Sequence, residues 1–149
     1  MPTLLTLAAS MLVSAALAAT PAPAAEPATA TADFQQALFT PVGGVLDLEE
    51  TPDGIKVAGE FRTGFASEVP SDYRLQVLDG AAVVLDLSED FEEVAEIEAA
   101  GVAEFEFTTK TKLKIADLRD EDVVVRQLVD LAGGVKVQAE IGRAKIEKN

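Results

Sequence analysis

The chain has 149 residues, which suits one domain, and its 12 basic against 26 acidic side chains give a net charge of −14. It contains no Cys and no His, which excludes disulfides, thiolate nucleophiles, imidazole acid–base chemistry and Cys or His ligation of zinc or haem. The negative charge argues against nucleic acid and anionic lipid as partners, because both would be repelled.

Residues 1–18 are predicted to be a secretory signal peptide. The run from Leu4 to Ala18 is apolar and uncharged, is short for a membrane span of ~20 residues, and ends in the small-x-small motif 16–18. No Lys or Arg precedes this run, so a buried helix or an uncleaved anchor is the alternative. We therefore expect a periplasmic or secreted protein with no membrane span after processing.

Residues 19–33 are rich in Pro, Ala and Thr and have no periodic apolar face. This composition predicts a flexible, partly polyproline-II linker. The folded unit is expected to be one β domain over residues 34–149.

Turn signals divide that domain at 51–54, 79–80, 100–101 and 133–134. The runs between them alternate apolar and polar residues, which predicts strands. These runs cover residues 55–61, 73–77, 103–115, 123–125 and 135–141. A bend is expected near Thr108–Thr109, a bulge or close packing at Gly59, and a core position for Phe105. The pattern predicts an all-β fold, an antiparallel sandwich or barrel-like sandwich of about 7–9 short strands.

The stretch 88–101 fits two structures. A short helix would have Ser88 as its N-cap, acids in its first turn and Gly101 at its C-terminal end. Against this, Ala95, Ile97 and Ala99 alternate with glutamates, so a loop followed by a strand is the favoured interpretation.

Three segments resemble the DM-thirteen domain, a family often called an electron-transfer domain and found beside DOMON domains. They are 61–63 with 69–78, then 117–125, and finally 141–146. The Gly that usually precedes Pro-Asp is missing, Ser71 separates Pro70 from Asp72, and the family's usual Cys would fall near Gln127. The resemblance implies a β-sandwich over roughly residues 38–146, without a thiol to carry redox chemistry.

Ten acids and no base lie between Arg74 and Lys110. Asp86, Glu89 and Asp90 are the candidate ligands for Ca²⁺ in this stretch, although it contains no D-x-D-x-D-G motif. A solvated acidic face is the favoured interpretation, both here and for the second acidic cluster at 117–122.

Lys110, Lys112 and Lys114 are expected to share one face of a strand. They are the candidate partner-facing residues, able to bind an anion or a protein. The alternative is an edge strand that lysines protect against sheet-to-sheet pairing.

Together these features predict a non-catalytic extracytoplasmic binding or protein-interaction module of the cell envelope. Its partner is expected to be an envelope or extracellular protein, a glycan or a small ligand, and no cofactor is predicted. The alternative, which the family resemblance implies, is an accessory domain in an electron-transfer or redox system.

Overall fold

In the part of the chain that the structure describes, nine antiparallel strands dominate the fold, which confirms the predicted all-β class. The computed structural model describes residues 26–149. The strands are β1 (Thr29–Phe34), β2 (Gly43–Thr51), β3 (Gly54–Thr63), β4 (Tyr73–Asp79), β5 (Ala82–Asp86), β6 (Ile97–Glu98), β7 (Gly101–Thr109), β8 (Asp122–Leu131) and β9 (Val135–Lys148). The described residues also form a 3-10 turn (Pro70–Asp72) and two short helices, α1 (Ser88–Val94) and α2 (Ile115–Leu118).

The strands form one curled sheet, a half-barrel, in the order β5-β4-β8-β9-β1-β2-β3-β7-β6. The long strand β9 connects the two halves, because it pairs with β8 up to Lys145 and with β1 from Ile146 onward. A bulge in the β8–β9 pairing precedes Gly142. A Cβ on Gly142 would lie 2.7 Å from the Cβ of Val42, so the close approach of these two chain segments requires glycine.

The first strand lies inside the segment predicted as linker, so the predicted domain start at residue 34 is about one strand too late. Ala30, Ala32 and Phe34 face the core, whereas Thr31 and Asp33 between them face outward. Strand β1 also fills the position between β2 and β9. The small alanine side chains hid this alternation in a segment whose composition is typical of a linker.

Strands β3, β4, β7, β8 and β9 overlap the five predicted runs, whereas β2 and β5 lie outside them; a bulge lies between Gly59 and Phe61 in the pairing of β3 with β7. The exception is residues 110–115, where the predicted strand does not continue. Strand β7 ends at Thr109 because its partner β3 begins at Gly54, one residue before the Ile55–Thr109 pair. Lys110, Lys112 and Lys114 therefore lie in a loop, and the prediction that they share a strand face was wrong.

The favoured loop interpretation of residues 88–94 was also wrong, since this segment forms α1. Helical spacing brings Leu87 and Phe91 into the core and packs Val94 against it. Ser88 is the first helical residue rather than the cap, and its hydroxyl accepts from the Leu75 amide at 3.0 Å. The alternation at 95–99 yields only the two-residue strand β6.

An aromatic cluster fills the inner side of the half-barrel. Phe61 is central, with its ring centroid 5.3 Å from Phe34 and 5.0 Å from Phe65. Phe105 is buried as predicted, and its ring centroid lies 5.4 Å from that of Phe91. Phe91 belongs to α1, which packs against both β4 and β7. This core holds the sheet in its curled shape and fixes which loops meet at each end.

Within residues 26–149, no helix is long and apolar enough to cross a membrane. The predicted signal peptide, residues 1–18, lies outside the described residues.

Candidate binding surfaces

Strand pairing places the surface loops at two ends of the sheet. One end, the arm end, has the β8–β9 hairpin, the β1–β2 loop and the loop that leads into β4. The opposite end, the lysine end, has the β2–β3 turn, the 110–114 loop, α2 and the β4–β5 turn. Each end contains one candidate surface.

The arm consists of residues 128–138, the outer part of the β8–β9 hairpin. It extends past Gln127, the last β8 residue that pairs with β4, so its two strands pair only with each other. Val129 opposes Val137, and Leu131 opposes Val135, so four apolar side chains share one face. The other face carries Leu128 opposite Gln138 and an ion pair between Lys136 and Asp130 at 3.7 Å.

The apolar face of the arm continues the inner side of the sheet. Val123 and Val125 belong to the core, and Val129 and Leu131 follow them along β8 with the same alternation. Beyond the core, however, this face is open, and Leu131, Val135 and Val137 are exposed. The arm therefore presents core-like side chains to solvent.

A second apolar feature lies at the same end. The β1–β2 loop forms a tight turn in which the Ala37 and Thr40 main chains bond to each other in both directions. Leu38 and Phe39 occupy the tip of this turn and are 87% and 84% exposed. The Val42 amide bonds to the Ile141 carbonyl at 3.0 Å, which anchors the loop beside the base of the arm.

Exposed apolar side chains are concentrated at the arm end. Of the eight large apolar residues exposed within 26–149, six lie there. They are Leu38, Phe39, Val69, Leu131, Val135 and Val137. The other two, Val83 and Val84, lie on the edge strand β5.

Two of the segments that carry this apolar surface have no net charge. Segment 35–42 contains no charged residue, and the arm contains only Asp130 and Lys136, whereas the whole chain has a net charge of −14. The acidic helix α1 packs against the third segment, the loop that leads into β4. Exposed apolar side chains on segments without net charge are the surface composition expected of an interaction site rather than of solvated surface.

At the lysine end, an open cleft of about 820 Å³ contains two of the three predicted lysines. The β2–β3 turn and the residues that follow β7 form it, and Lys110, Lys112 and Asp53 line it with several threonines. None of Lys110, Lys112 and Lys114 forms an ion pair with a carboxylate of residues 26–149. The cleft therefore offers ammonium and hydroxyl donors to an anionic group.

The candidate calcium ligands do not converge. Asp86 instead stabilises the start of α1. Its carboxylate accepts a hydrogen bond from the Ser88 main-chain amide at 2.9 Å and one from the Gln76 side-chain amide at 3.4 Å. Burial alone would raise the pKa of Asp86, but the Ser88 and Gln76 hydrogen bonds and the Arg74 charge together lower it. Glu89 is exposed on α1, and no three carboxylates within 26–149 are grouped to hold a metal ion.

The second acidic cluster divides into separate structural roles. Asp117 accepts from the Lys114 amide at 2.8 Å and caps α2, and Asp122 pairs with Arg143 at 2.7 Å. Partial burial raises the pKa of Glu121, and the negative charges of Asp79, Asp122 and Asp120 raise it further. These contacts account for the cluster without a ligand.

The sequence matches no family model and no curated protein. The resemblance to DM-thirteen domains stays a prediction.

Proposed function

We propose that this protein is a non-catalytic interaction module of the cell envelope that binds a protein partner through its arm end. The observation that carries the proposal is the concentration of six exposed large apolar side chains at that one end. Soluble monomers rarely leave apolar patches larger than a few hundred Å² exposed, and such patches mark interaction sites.

The form of the arm supports a protein as the partner. A two-stranded ribbon with one apolar face is stable only when that face packs against another surface. Its cross-strand pairs, Val129–Val137 and Leu131–Val135, resemble half of a sandwich core. A glycan would need aromatic platforms and dense hydrogen-bond donors, whereas this face is aliphatic.

Composition supports a non-catalytic role. With no His and no Cys in the chain, general acid–base or nucleophilic chemistry would have to rest on carboxylates, lysines or hydroxyls. Asp86 and Asp117 bond to the starts of the two helices, Asp122 pairs with Arg143, and Glu89 faces solvent.

Site-specific photo-crosslinking in the producing cells tests the proposal. A photoreactive amino acid at Val135 is expected to form a protein adduct, and the same probe at Val83, a similarly exposed valine at the other end, is expected to form little. Equal adducts at both positions, or none at Val135, would reject the arm end as a binding surface.

Two further measurements address location and the redox alternative. If the signal peptide is removed, the N-terminal sequence of the protein from an envelope fraction should begin near Ala19; intact Met1 in the cytoplasmic fraction would contradict export.

The optical spectrum of freshly purified protein tests the alternative role. A visible absorption band would favour the electron-transfer role over the interaction module.

A further inference from the structure

We infer that the partner at the arm end is a second copy of this chain, bound across a two-fold axis so that the apolar faces of the two arms pack together. This inference rests on the binding surface of the proposed function and identifies its occupant. Three properties of the surface favour a second copy: its charge, its symmetry and its extent.

Charge is the first property. Two copies of a chain with net charge −14 repel each other over most orientations. The arm and the β1–β2 loop, with no net charge in segments 128–138 and 35–42, are the surface through which two copies can meet without placing like charges face to face. A basic partner, by contrast, would be steered to the acidic surface elsewhere, where complementary charge is available.

Symmetry is the second property. An isologous contact uses the same patch on both subunits, so the patch must complement itself. The arm meets this condition because its apolar face consists of two cross-strand pairs of similar aliphatic side chains. Two such faces can interdigitate at the ~10 Å spacing of packed sheets. The Asp130–Lys136 ion pair points away from this contact and is left undisturbed.

Extent is the third property. A standard stable interface buries about 800 Å² on each partner, and four aliphatic side chains supply only a part of that. The Leu38–Phe39 turn and Val69 add exposed apolar side chains at the same end of the molecule. A contact of this kind predicts dimerisation in the micromolar range rather than an obligate dimer.

Sedimentation equilibrium of the full, naturally processed protein tests the inference. The mass is expected to double between low-micromolar and millimolar concentration. Val137→Glu should weaken dimerisation at least ~100-fold, because two buried carboxylates would face each other across the axis. Val84→Glu is the matched control, since Val84 and Val137 are both 39% exposed. The control should dimerise like the natural chain.

Disulfide trapping gives a second test, which does not require the folded protein to accommodate a new glutamate. The chain has no Cys, so a single-cysteine variant reports one position without background. Val137→Cys should form covalent dimers rapidly on mild oxidation at micromolar concentration, and Val84→Cys should remain largely monomeric. Equal trapping of the two variants would overturn the proposed contact, as would dimerisation that Val84→Glu abolishes.

The two proposals can fail separately. A protein that stays monomeric at millimolar concentration but crosslinks from Val135 to a different envelope protein refutes self-association and retains the interaction module. A monomer without any adduct from Val135 refutes both.

Discussion

The packing of single side chains makes the clearest stability prediction. Phe105 is buried among Phe61, Phe91 and Phe107, with ring centroids 5.4 to 6.1 Å away. Phe105→Ala should lower the free energy of unfolding by about 3–5 kcal/mol, because it leaves a cavity in a rigid aromatic cluster. Phe39→Ala, at an exposed position, is the matched control and should change stability by less than ~0.5 kcal/mol. Urea denaturation of both variants at low protein concentration measures the difference.

Tyr73 allows a second residue-scale prediction, because it is the sole tyrosine of the chain and there is no Trp. Its buried hydroxyl donates to the Ser67 carbonyl and accepts from the Ser67 amide, both at 2.8 Å. Burial raises the pKa of Tyr73 above its ordinary 10.0, against the opposing effect of the Ser67 hydrogen bond. The folded state therefore holds this proton more tightly than the unfolded state does.

The sign of the pH effect follows from that difference. The stabilisation is complete below pH 10 and is lost as the pH rises through the higher pKa of the folded state. Absorbance at the tyrosinate band should give a midpoint above 10 in the folded protein, shifting to about 10 in denaturant. Tyr73→Phe should remove this part of the alkaline destabilisation. A folded midpoint at or below 10 would contradict the prediction.

At the scale of elements, the start of α1 depends on one carboxylate. Asp86→Ala should destabilise the protein by about 0.5–2 kcal/mol, since the Ser88 amide loses its acceptor. Because the pKa of Asp86 is lowered, its stabilisation is present above pH 3.8 and is lost as the pH falls through the lower pKa of the folded state. Glu89→Ala, on the exposed side of the same helix, is the control. In thermal melts between pH 3 and pH 7, the difference in stability between the natural chain and Asp86→Ala should be constant near neutral pH and should shrink toward pH 3.

Strands with large inward side chains were predictable from the sequence, whereas the end of β7 and the presence of β1 were not. Alternation through Lys114 continued the pattern of β7, but a strand also needs a partner, and β3 begins at Gly54 opposite the end of β7. Likewise, β1 was hidden because its inward residues are alanines, which fill the position beside β9 without a strong periodic signal. Alternation reports the faces of a strand, but pairing decides where it ends.

The same limit applies to the candidate sites. The sequence singled out Asp86 as an acid, but its contact with Ser88 depends on β5 leading directly into α1. The apolar alternation at 135–141 predicts a strand, yet the exposure of its outer half follows from where β4 begins, at Tyr73. A sequence pattern cannot show which part of a hairpin lacks a covering layer.

For the whole molecule, the excess negative charge is spread over the surface. The acids divide among caps, ion pairs and solvated positions, and no three carboxylates within residues 26–149 are grouped to hold a metal ion. Cations should therefore relieve general repulsion instead of filling a site, and this effect is screened within about 8 Å at physiological salt.

The resulting prediction compares Ca²⁺ with Na⁺. Added NaCl should raise the melting temperature, and CaCl₂ at equal ionic strength should raise it by a similar, small amount, because diffuse screening depends chiefly on ionic strength. A specific Ca²⁺ site would need six to eight oxygens at one point, whereas Asp86 is already bound to Ser88 and Glu89 faces solvent. Calorimetry in 150 mM NaCl is the decisive measurement. Stoichiometric micromolar Ca²⁺ binding that Asp86→Asn abolishes would contradict the diffuse-charge account, and Glu104→Gln on the exposed side of β7 is the control for simple loss of charge.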